Sequence, residues 1–117
     1  MTKRYLLGKH GERLARAYFL QQGFQVLHEN YRFGHYEIDL IVKKDDLLVF
    51  VEVKTRSSIR YGFPEETLSE KQEERIRKTA DQFIYASDWQ GRIRFDVISI
   101  LMRNNGTELR HFPDALY

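Results

Sequence analysis

Carboxylates interrupt two apolar stretches of the chain, and a lysine follows the second one. Residues 37–41 read Glu-Ile-Asp-Leu-Ile and contain Asp39, while residues 49–54 read Val-Phe-Val-Glu-Val-Lys and contain Glu52 and Lys54. Both stretches are typical of β-strands, in which alternate side chains share a face, so Glu52 and Lys54 are expected on one side and the neighbouring valines on the other. A carboxylate beside an apolar core is costly unless something compensates its charge. A divalent cation next to the lysine would do so.

The preferences of hard cations match these residue types. Mg²⁺ takes oxygen ligands, usually one or two carboxylates together with waters and substrate phosphate. Asp39 and Glu52 would supply the carboxylates, and the backbone carbonyl of Val53 offers a further oxygen. A bound cation acidifies a water and screens a scissile phosphate, and Lys54 would orient or deprotonate that water or stabilise the transition state. The spacing alone leaves a second explanation open, which is a buried ion pair between an acid and Lys54 without any metal.

The pattern of an Asp, a short loop and then Glu-x-Lys resembles the signature of PD-(D/E)xK nucleases, with Asp39, Glu52 and Lys54 in the three key places. More narrowly, nearly the whole chain resembles the small bacterial YraN-like (UPF0102) proteins. Outside the two acidic stretches, the residues that carry this likeness are Gly11 and Glu12, Asn30 to Arg32, Lys71, and Arg94 to Val97.

That family is regarded as endonuclease-like and is distantly similar to archaeal Holliday junction resolvases. The resemblance therefore implies an α/β, restriction-endonuclease-like fold and a Mg²⁺- or Mn²⁺-dependent hydrolysis of phosphodiester bonds in DNA. Branched or otherwise irregular DNA is implied as the substrate only by the similarity to resolvases. An alternative from a different class is a non-catalytic nucleic-acid-binding or adaptor module that retains the nuclease fold.

Three further carboxylates are candidates, each with an ordinary explanation beside the functional one. Resolvase-like nucleases often carry an acidic residue at the place of Glu12 that completes the metal coordination, but Glu12 could equally pair with Arg16 one helical turn away. Glu37 would hold a water or a basic side chain near the metal, or lie solvated at the edge of a hairpin. Asp96 matches the family pattern, and pairing with Arg94 explains it as well as catalysis does.

Basic residues follow the Glu-x-Lys stretch and open a later helix. Arg56 and Arg60 lie just after the predicted strand, and Lys71 begins the second helix. Cations in such positions can track a phosphate backbone, so these three residues are the predicted nucleic-acid contacts. The helix also carries several acidic residues, so a solvated face of mixed charge is the alternative for Lys71.

The elements that must position these residues can be read from periodicity and turn residues. The predicted order is α-βββ-α-β-β, with helices over 8–22 and 69–87, strands over 25–31, 36–43, 47–54, 94–101 and 107–112, and an irregular loop over 55–68. Ser69 and Gln72 form a capping box at the start of the second helix. The helical connection between the third and fourth strands allows them to run parallel, which predicts a mixed sheet flanked by helices.

Composition limits the remaining choices. The 117 residues predict one domain, 1–117, with a formal net charge of only +2, so any basic surface must come from local clustering. The absence of cysteine excludes disulfides, thiolate metal sites and cysteine nucleophiles. Neither a signal peptide nor a membrane span is apparent, so a cytoplasmic protein is expected. So small a unit has little surface for gripping a duplex, and a homodimer or a partner protein is expected to assist it.

Overall fold

A five-stranded mixed β-sheet with one helix packed on each face forms the frame of the molecule. The structure, a computed structural model, describes residues 2–57 and 68–116. In chain order the elements are α1 (Lys3–Gln21), β1 (Gln25–Phe33), β2 (Tyr36–Lys44), β3 (Leu47–Arg56), α2 (Glu70–Ser87), β4 (Arg92–Arg103) and β5 (Gly106–Phe112). The strands are arranged in the order β1-β2-β3-β4-β5, and only β3 and β4 are parallel neighbours. The predicted α/β class, element order and parallel central pair are confirmed.

Several element boundaries differ from those predicted: strands β1 and β4 extend two residues further, β2 and β5 one residue further, and the start of α1 and the end of β3 also change. Helix α1 begins at Lys3 and not at Gly8, because the Thr2 side chain caps it by accepting a hydrogen bond from the Tyr5 amide at 3.1 Å. Strand β3 continues through Arg56, since its parallel pairing with β4 extends to the Arg56–Leu101 pair. The first two residues of the predicted loop are therefore strand, while 58–67 lie outside the described residues.

Helix α2 begins as the sequence predicts. The Gln72 amide donates to the Ser69 hydroxyl at 3.2 Å, and the Ser69 amide donates to the Gln72 side chain at 3.0 Å, which completes the capping box. At the other end, Asp88 adopts a left-handed conformation (φ 53°) and terminates the helix. The face that α2 buries consists of Ile76, Thr79, Ala80 and Phe83.

The core has two layers because alternate strand residues point to opposite faces of the sheet. On one face, α1 packs through Ala15 and Phe19 against a cluster that includes Val49 and Val51. On the other face, the buried residues of α2 pack against a cluster that includes Phe50. Each helix therefore covers one face, and the two acidic stretches belong to the strands between them. In the part of the chain that the structure describes, no helix is long and apolar enough to span a membrane.

Candidate metal centre

The carboxylate of Asp39 lies where strands β2 and β3 separate. Backbone pairing between these strands runs from Lys44–Leu47 to Leu40–Val51. Beyond that point the Val53 amide donates a hydrogen bond to Asp39 Oδ2, at 2.7 Å. A side chain thus takes the place of a main-chain acceptor, which fixes the Asp39 carboxylate against β3.

Asn30 on β1 organises the acidic residues around Asp39. The neighbouring pairs Glu29–Leu40 and Tyr31–Ile38 bracket the two residues, so Asn30 and Asp39 lie opposite each other in the register. Asn30 has a left-handed backbone conformation (φ 53°), which asparagine adopts more readily than most residues. Its side-chain amide donates to Glu12 Oε1 at 2.6 Å and to Glu37 Oε1 at 2.9 Å. One side chain therefore joins carboxylates from α1 and β2.

Glu12 reaches this position because α1 approaches β3 closely at Gly11. A Cβ atom on Gly11 would lie 2.0 Å from Thr55 Oγ1, well inside van der Waals contact. Any larger residue would require the Thr55 side chain, the helix or the strand to shift. The missing side chain at Gly11 thus sets how deeply the next residue, Glu12, sits over the sheet.

The outcome is a compact group of three carboxylates. One oxygen from each of Glu12, Glu37 and Asp39 lies within 4.8 Å of the other two. Two cationic side chains border the group: Lys9 Nζ lies 3.7 Å from Glu12 Oε2, and Arg32 Nε lies 3.0 Å from Glu37 Oε2. Lys9 also donates to Asn30 Oδ1 at 3.2 Å. The alternative in which Glu12 pairs with Arg16 is wrong, because Arg16 contacts Glu29 at 2.9 Å.

Burial and mutual repulsion perturb the titration of these acids. Burial, followed by the nearby charge of Glu52, raises the pKa of Asp39 from 3.8 to about 8, despite the hydrogen bond from Val53 that opposes the rise. Burial also raises the pKa of Glu52, against the opposing charge of Lys54. The positive charge near both carboxyl groups is therefore too small to offset burial and mutual repulsion, and a bound cation would correct this.

Lys54 lies beside Glu52, as the strand alternation requires. Lys54 Nζ is 3.7 Å from Glu52 Oε1, and the two side chains are only 16% and 21% exposed. This contact is the ion pair between an acid and Lys54 that the sequence allowed as an alternative to a metal site. Its distance is longer than a hydrogen bond, so the ammonium group can move towards a ligand. Glu52 acts on Asp39 through its charge, while the three-oxygen group is completed by Glu37.

The predicted nucleic-acid contacts lie on separate elements. Arg56 is exposed at the end of β3, and Lys71 is exposed in the first turn of α2, on the opposite face of the sheet from α1. Arg60 lies outside the described residues. Phosphate binding by these three residues stays a prediction.

Asp96 lies at the centre of a hydrogen-bond network. Its side chain is buried and accepts hydrogen bonds from Arg94 Nε and Nη2, both at 2.8 Å, and from the Asp114 amide at 3.1 Å. His111 Nε2 is hydrogen-bonded to the same carboxylate at 2.6 Å, and His111 Nδ1 contacts the Tyr18 hydroxyl at 2.9 Å. Burial alone would raise the pKa of Asp96, but the hydrogen bonds from His111 and Arg94 prevail and lower it. Pairing with Arg94, one of the two explanations drawn from the sequence, accounts for Asp96.

Three residues around the cluster had no role assigned from the sequence, namely Asn30, Lys9 and Arg32. Asn30 carried a signal, since a polar residue suited to a positive φ interrupts a predicted strand. Lys9 carried none, because a lysine on an amphipathic helix is ordinary. Its contact with the cluster depends on the packing of α1 against β1.

The donor set fits a hard divalent cation. All the candidate ligands are oxygen atoms, and three of them already lie within 4.8 Å of one another, close to the spacing of ligands around one ion. Mg²⁺ and Mn²⁺ both accept such ligands, whereas the chain has no cysteine and its described residues form no metal-binding group that contains histidine, which disfavours zinc.

Comparison with known proteins gives one consistent family. Residues 11–100 match the family described as Uncharacterised protein family UPF0102. The chain is similar to a UPF0102 protein of Cytophaga hutchinsonii, at 47% identity over 93 residues that cover 80% of this chain and 82% of the relative. It is also similar to a UPF0102 protein of Parabacteroides distasonis, at 37% identity over 100% of this chain and 97% of the relative. A UPF0102 protein of Natranaerobius thermophilus is 42% identical over 92% of this chain and 94% of the relative.

Proposed function

The chain belongs to the uncharacterised family UPF0102, and we propose that it is a divalent-metal-dependent endonuclease that hydrolyses phosphodiester bonds in DNA. The observation that carries the proposal is the convergence of Glu12, Glu37 and Asp39 within 4.8 Å, with Lys54 paired to the adjacent Glu52. Carboxylates whose pKa is raised by burial and by neighbouring acids, next to a lysine, are concentrated at functional sites.

Each residue has a separate task in this proposal. Asp39 and Glu12 hold the cation, with Glu37, Glu52 and the Val53 carbonyl as the remaining protein oxygens near it. When bound, Mg²⁺ or Mn²⁺ makes a water more acidic and neutralises charge on the scissile phosphate. Lys54 donates hydrogen bonds to the attacking water or to the phosphate oxygens as negative charge develops on them.

Two observations support the assignment of the acids as ligands. The Asp39 carboxylate is held by the Val53 amide, so one oxygen is oriented before any cation arrives. Asn30 likewise holds one oxygen each of Glu12 and Glu37. Ligands that are already oriented lose little conformational freedom on binding, which favours a bound cation.

The substrate is proposed to be DNA, with Arg56, Arg60 and Lys71 contacting its phosphates. The similarity to resolvases supports branched DNA. Symmetric cleavage of two strands requires two active sites, so a homodimer, or a complex with a partner protein, belongs to this proposal.

A non-catalytic nucleic-acid-binding module is the second candidate. It is favoured by the hydrogen bonds of Asn30 and the contact of Lys9, which partly compensate the carboxylates without a cation. Under this alternative, the acidic group positions Lys9 and Arg32, and divalent cations have no effect on stability.

The decisive experiment incubates the protein with branched, single-stranded and duplex DNA in the presence of Mg²⁺ or Mn²⁺. Wild type is expected to cleave at least one of these, and Asp39→Asn and Lys54→Met are expected to lower the rate at least about 100-fold, as for other groups that act on the transition state. The matched controls are Asp45→Asn, in the exposed β2–β3 turn, and Lys78→Met, on the exposed side of α2. Equal cleavage by all five proteins would indicate a contaminant, and binding without cleavage of every substrate would favour the second candidate.

A further inference from the structure

A cleft leads from the outer end of α1 to the acidic group. Its volume is about 410 Å³, which is within the range of small-ligand sites. Its lining comes from α1, β1 and β2 and consists of Tyr5, Gly8, Lys9, Glu12, Asn30, Arg32 and Glu37. The inner end of the cleft is therefore formed by Glu12 and Glu37 of the candidate metal centre, and the outer end lies at Tyr5.

An aromatic ring stands at that outer end. Tyr5 is 50% exposed although it is a large apolar side chain on a helix that packs against the sheet. Lys9 Nζ lies 5.8 Å from the centre of its ring, so one cationic side chain contacts both the ring and Glu12. An exposed ring beside a cation presents a surface on which a nucleic-acid base can stack.

Gly8 keeps the space between the ring and the carboxylates open. Residues 5, 8 and 12 follow one another along the same side of the helix, so a side chain at position 8 would project between Tyr5 and Glu12. A Cβ atom built on Gly8 has no other atom within 4 Å. Packing therefore does not require a glycine here, and glycine lowers helix stability relative to alanine. The need to keep the cleft open would explain why a glycine occupies position 8.

The charges of the cleft suit a phosphodiester once a cation is bound. Lys9 and Arg32 lie on two different elements and face the carboxylates Glu12 and Glu37, so the four charges cancel. A divalent cation at the carboxylates would leave this part of the cleft positive. Tyr5 lies about 10 Å along the helix from Glu12, given the rise per residue. A base on the ring and a phosphate at the carboxylates would thus belong to neighbouring parts of one strand.

We propose that this cleft holds an unpaired nucleotide of the DNA substrate, with its base stacked on Tyr5 and its backbone directed past Gly8 towards the carboxylates. The inference rests on the proposed function and adds a substrate class to it: DNA with a single-stranded segment next to the cleaved bond. A base that is paired within a duplex cannot stack on the ring, so Tyr5 discriminates between unpaired and paired DNA.

The test measures binding of single-stranded and fully duplex DNA by fluorescence anisotropy, with Ca²⁺ to limit cleavage. Tyr5→Ala is expected to weaken binding of single strands by about 5- to 100-fold, which is the effect of losing one stacked base, and to leave duplex binding within about 2-fold. Tyr5→Phe should retain the affinity, because the ring remains. The matched control is Tyr85→Ala, which removes a tyrosine that is 89% exposed on α2, and it should bind both DNAs as wild type does.

A second variant tests the cleft without altering the ring. Gly8→Leu is expected to fold with a melting temperature at or above that of wild type, since the position is open, and to lose single-strand affinity because the side chain fills the cleft. Replacing the base expected on Tyr5 with 2-aminopurine gives a direct readout, because its fluorescence is quenched on stacking and Tyr5→Ala should restore it.

The outcomes separate this inference from the proposed function. If Mn²⁺ still raises the melting temperature and wild type still cleaves DNA, but Tyr5→Ala binds single strands like wild type, the stacking inference is wrong and the nuclease proposal stands. Equal losses on single-stranded and duplex DNA would also overturn it. If wild type binds no single-stranded DNA, the inference fails at once, and the metal response then reports separately on the metal centre.

Discussion

Among the predicted ligands, Asp39 has the largest pKa shift, and its surroundings explain the shift. The residue combines burial, three neighbouring acids and one fixed hydrogen bond from Val53. A carboxylic acid in such surroundings favours its protonated form until a cation supplies the missing charge. The ionised residue therefore destabilises the metal-free protein, and under the proposed function a bound cation offsets this cost.

This leads to a pH-dependent prediction for Asp39. Its pKa of about 8 in the folded chain exceeds the ordinary value of 3.8, so its contribution to stability is full below about pH 4 and is lost as pH rises through 8. In EDTA, wild type should therefore lose stability relative to Asp39→Asn between pH 5 and pH 8.5. Mn²⁺ should raise the melting temperature of wild type at pH 8 and leave that of Asp39→Asn unchanged.

Thermal unfolding of both proteins, with Asp45→Asn as control, checks this prediction. The asparagine oxygen can still accept from the Val53 amide, so the comparison isolates the charge. Parallel pH profiles for wild type and Asp39→Asn would contradict the burial of an uncompensated carboxylate. An equal response of both proteins to Mn²⁺ would contradict its role as a ligand.

The pKa of Asp96 is shifted in the opposite direction from that of Asp39. Its buried carboxylate is surrounded by donors from Arg94, His111 and the Asp114 amide, and its pKa is lowered. The stability that it contributes is therefore present above pH 3.8 and is lost as pH falls through its lowered pKa. Asp96→Asn should cost roughly 3 kcal/mol at pH 7, as for other buried pairs that lose one partner.

Urea unfolding at pH 7 and pH 3 measures this cost. At pH 3 the difference between wild type and Asp96→Asn should shrink, because the carboxyl group of the unfolded wild-type chain is protonated below pH 3.8 while that of the folded chain, whose pKa is lowered, is not yet fully so. Retained metal binding by the folded variant would agree with a structural role. A variant as stable as wild type but unable to bind Mn²⁺ would instead assign Asp96 to the metal centre.

At the scale of the elements, the site depends on how closely α1 approaches β3. Only the absence of a side chain at Gly11 permits the contact with Thr55, and Glu12 is the next residue. Gly8 lies one turn earlier on the same helix with open space around it. The two glycines thus form a matched pair in one element, one required by packing and the other not.

Gly11→Ala should destabilise the protein by about 1–3 kcal/mol, because the added methyl group overlaps the Thr55 hydroxyl. Gly8→Ala should stabilise it by about 0.5–1 kcal/mol through helix propensity. Gly11→Ala should also weaken Mn²⁺ binding, since the displaced helix carries Glu12 away from Asp39. Chemical unfolding and Mn²⁺ titration measure both effects.

Thr55→Ala tests whether the contact between position 11 and Thr55 causes the loss of stability in Gly11→Ala. It removes the hydroxyl that the new methyl group would meet, so the double variant should recover part of the lost stability. No recovery, or an equal penalty for Gly8→Ala, would mean that the effect of position 11 comes from the helix and not from its contact with β3.

At the scale of the whole molecule, charge limits how the protein would hold DNA under the proposed function. Nineteen basic residues against 17 acidic ones leave a formal net charge of +2, and many basic side chains are already paired with acids. Binding must therefore depend on a few local contacts and not on a broad basic surface. The predicted phosphate contacts are Arg56, Arg60 and Lys71, with Lys9 and Arg32 in the cleft.

A shallow salt dependence follows from so few contacts. For single-stranded DNA, the slope of log K against log salt concentration should lie between about −2 and −4, at about −0.7 for each phosphate contact. Arg56→Ala and Lys71→Ala should each flatten the slope by roughly one contact. Anisotropy titrations at several salt concentrations measure this, with Lys78→Met as the control. A slope steeper than about −6 would indicate a wider basic surface or an oligomer that combines several.

The sequence by itself determined the elements and the candidate acids. The hydrophobic period of α2, its Ser69 capping box and the turn residues between strands act over a few residues, so they can be read locally. The same holds for Asp39 and Glu52, whose place within apolar strands is visible without knowing what packs on them. The element bounds were less accurate. Helix α1 begins five residues earlier than predicted because one side chain caps it, and β1, β3 and β4 extend by two residues at one or both ends because pairing with neighbouring strands decides where they end.

The tertiary structure decided which acids meet and what holds them. Glu12 and Asn30 are 18 residues apart, and their hydrogen bond exists because the β1–β2 register places Asn30 opposite Asp39 while Gly11 lets α1 approach the sheet. The structure likewise gave Arg16 a different partner, Glu29, and surrounded Asp96 with donors from β5 and the segment after it. Such contacts depend on strand register and helix distance, which are set by the packing of the entire core and leave no mark on neighbouring residues in the chain.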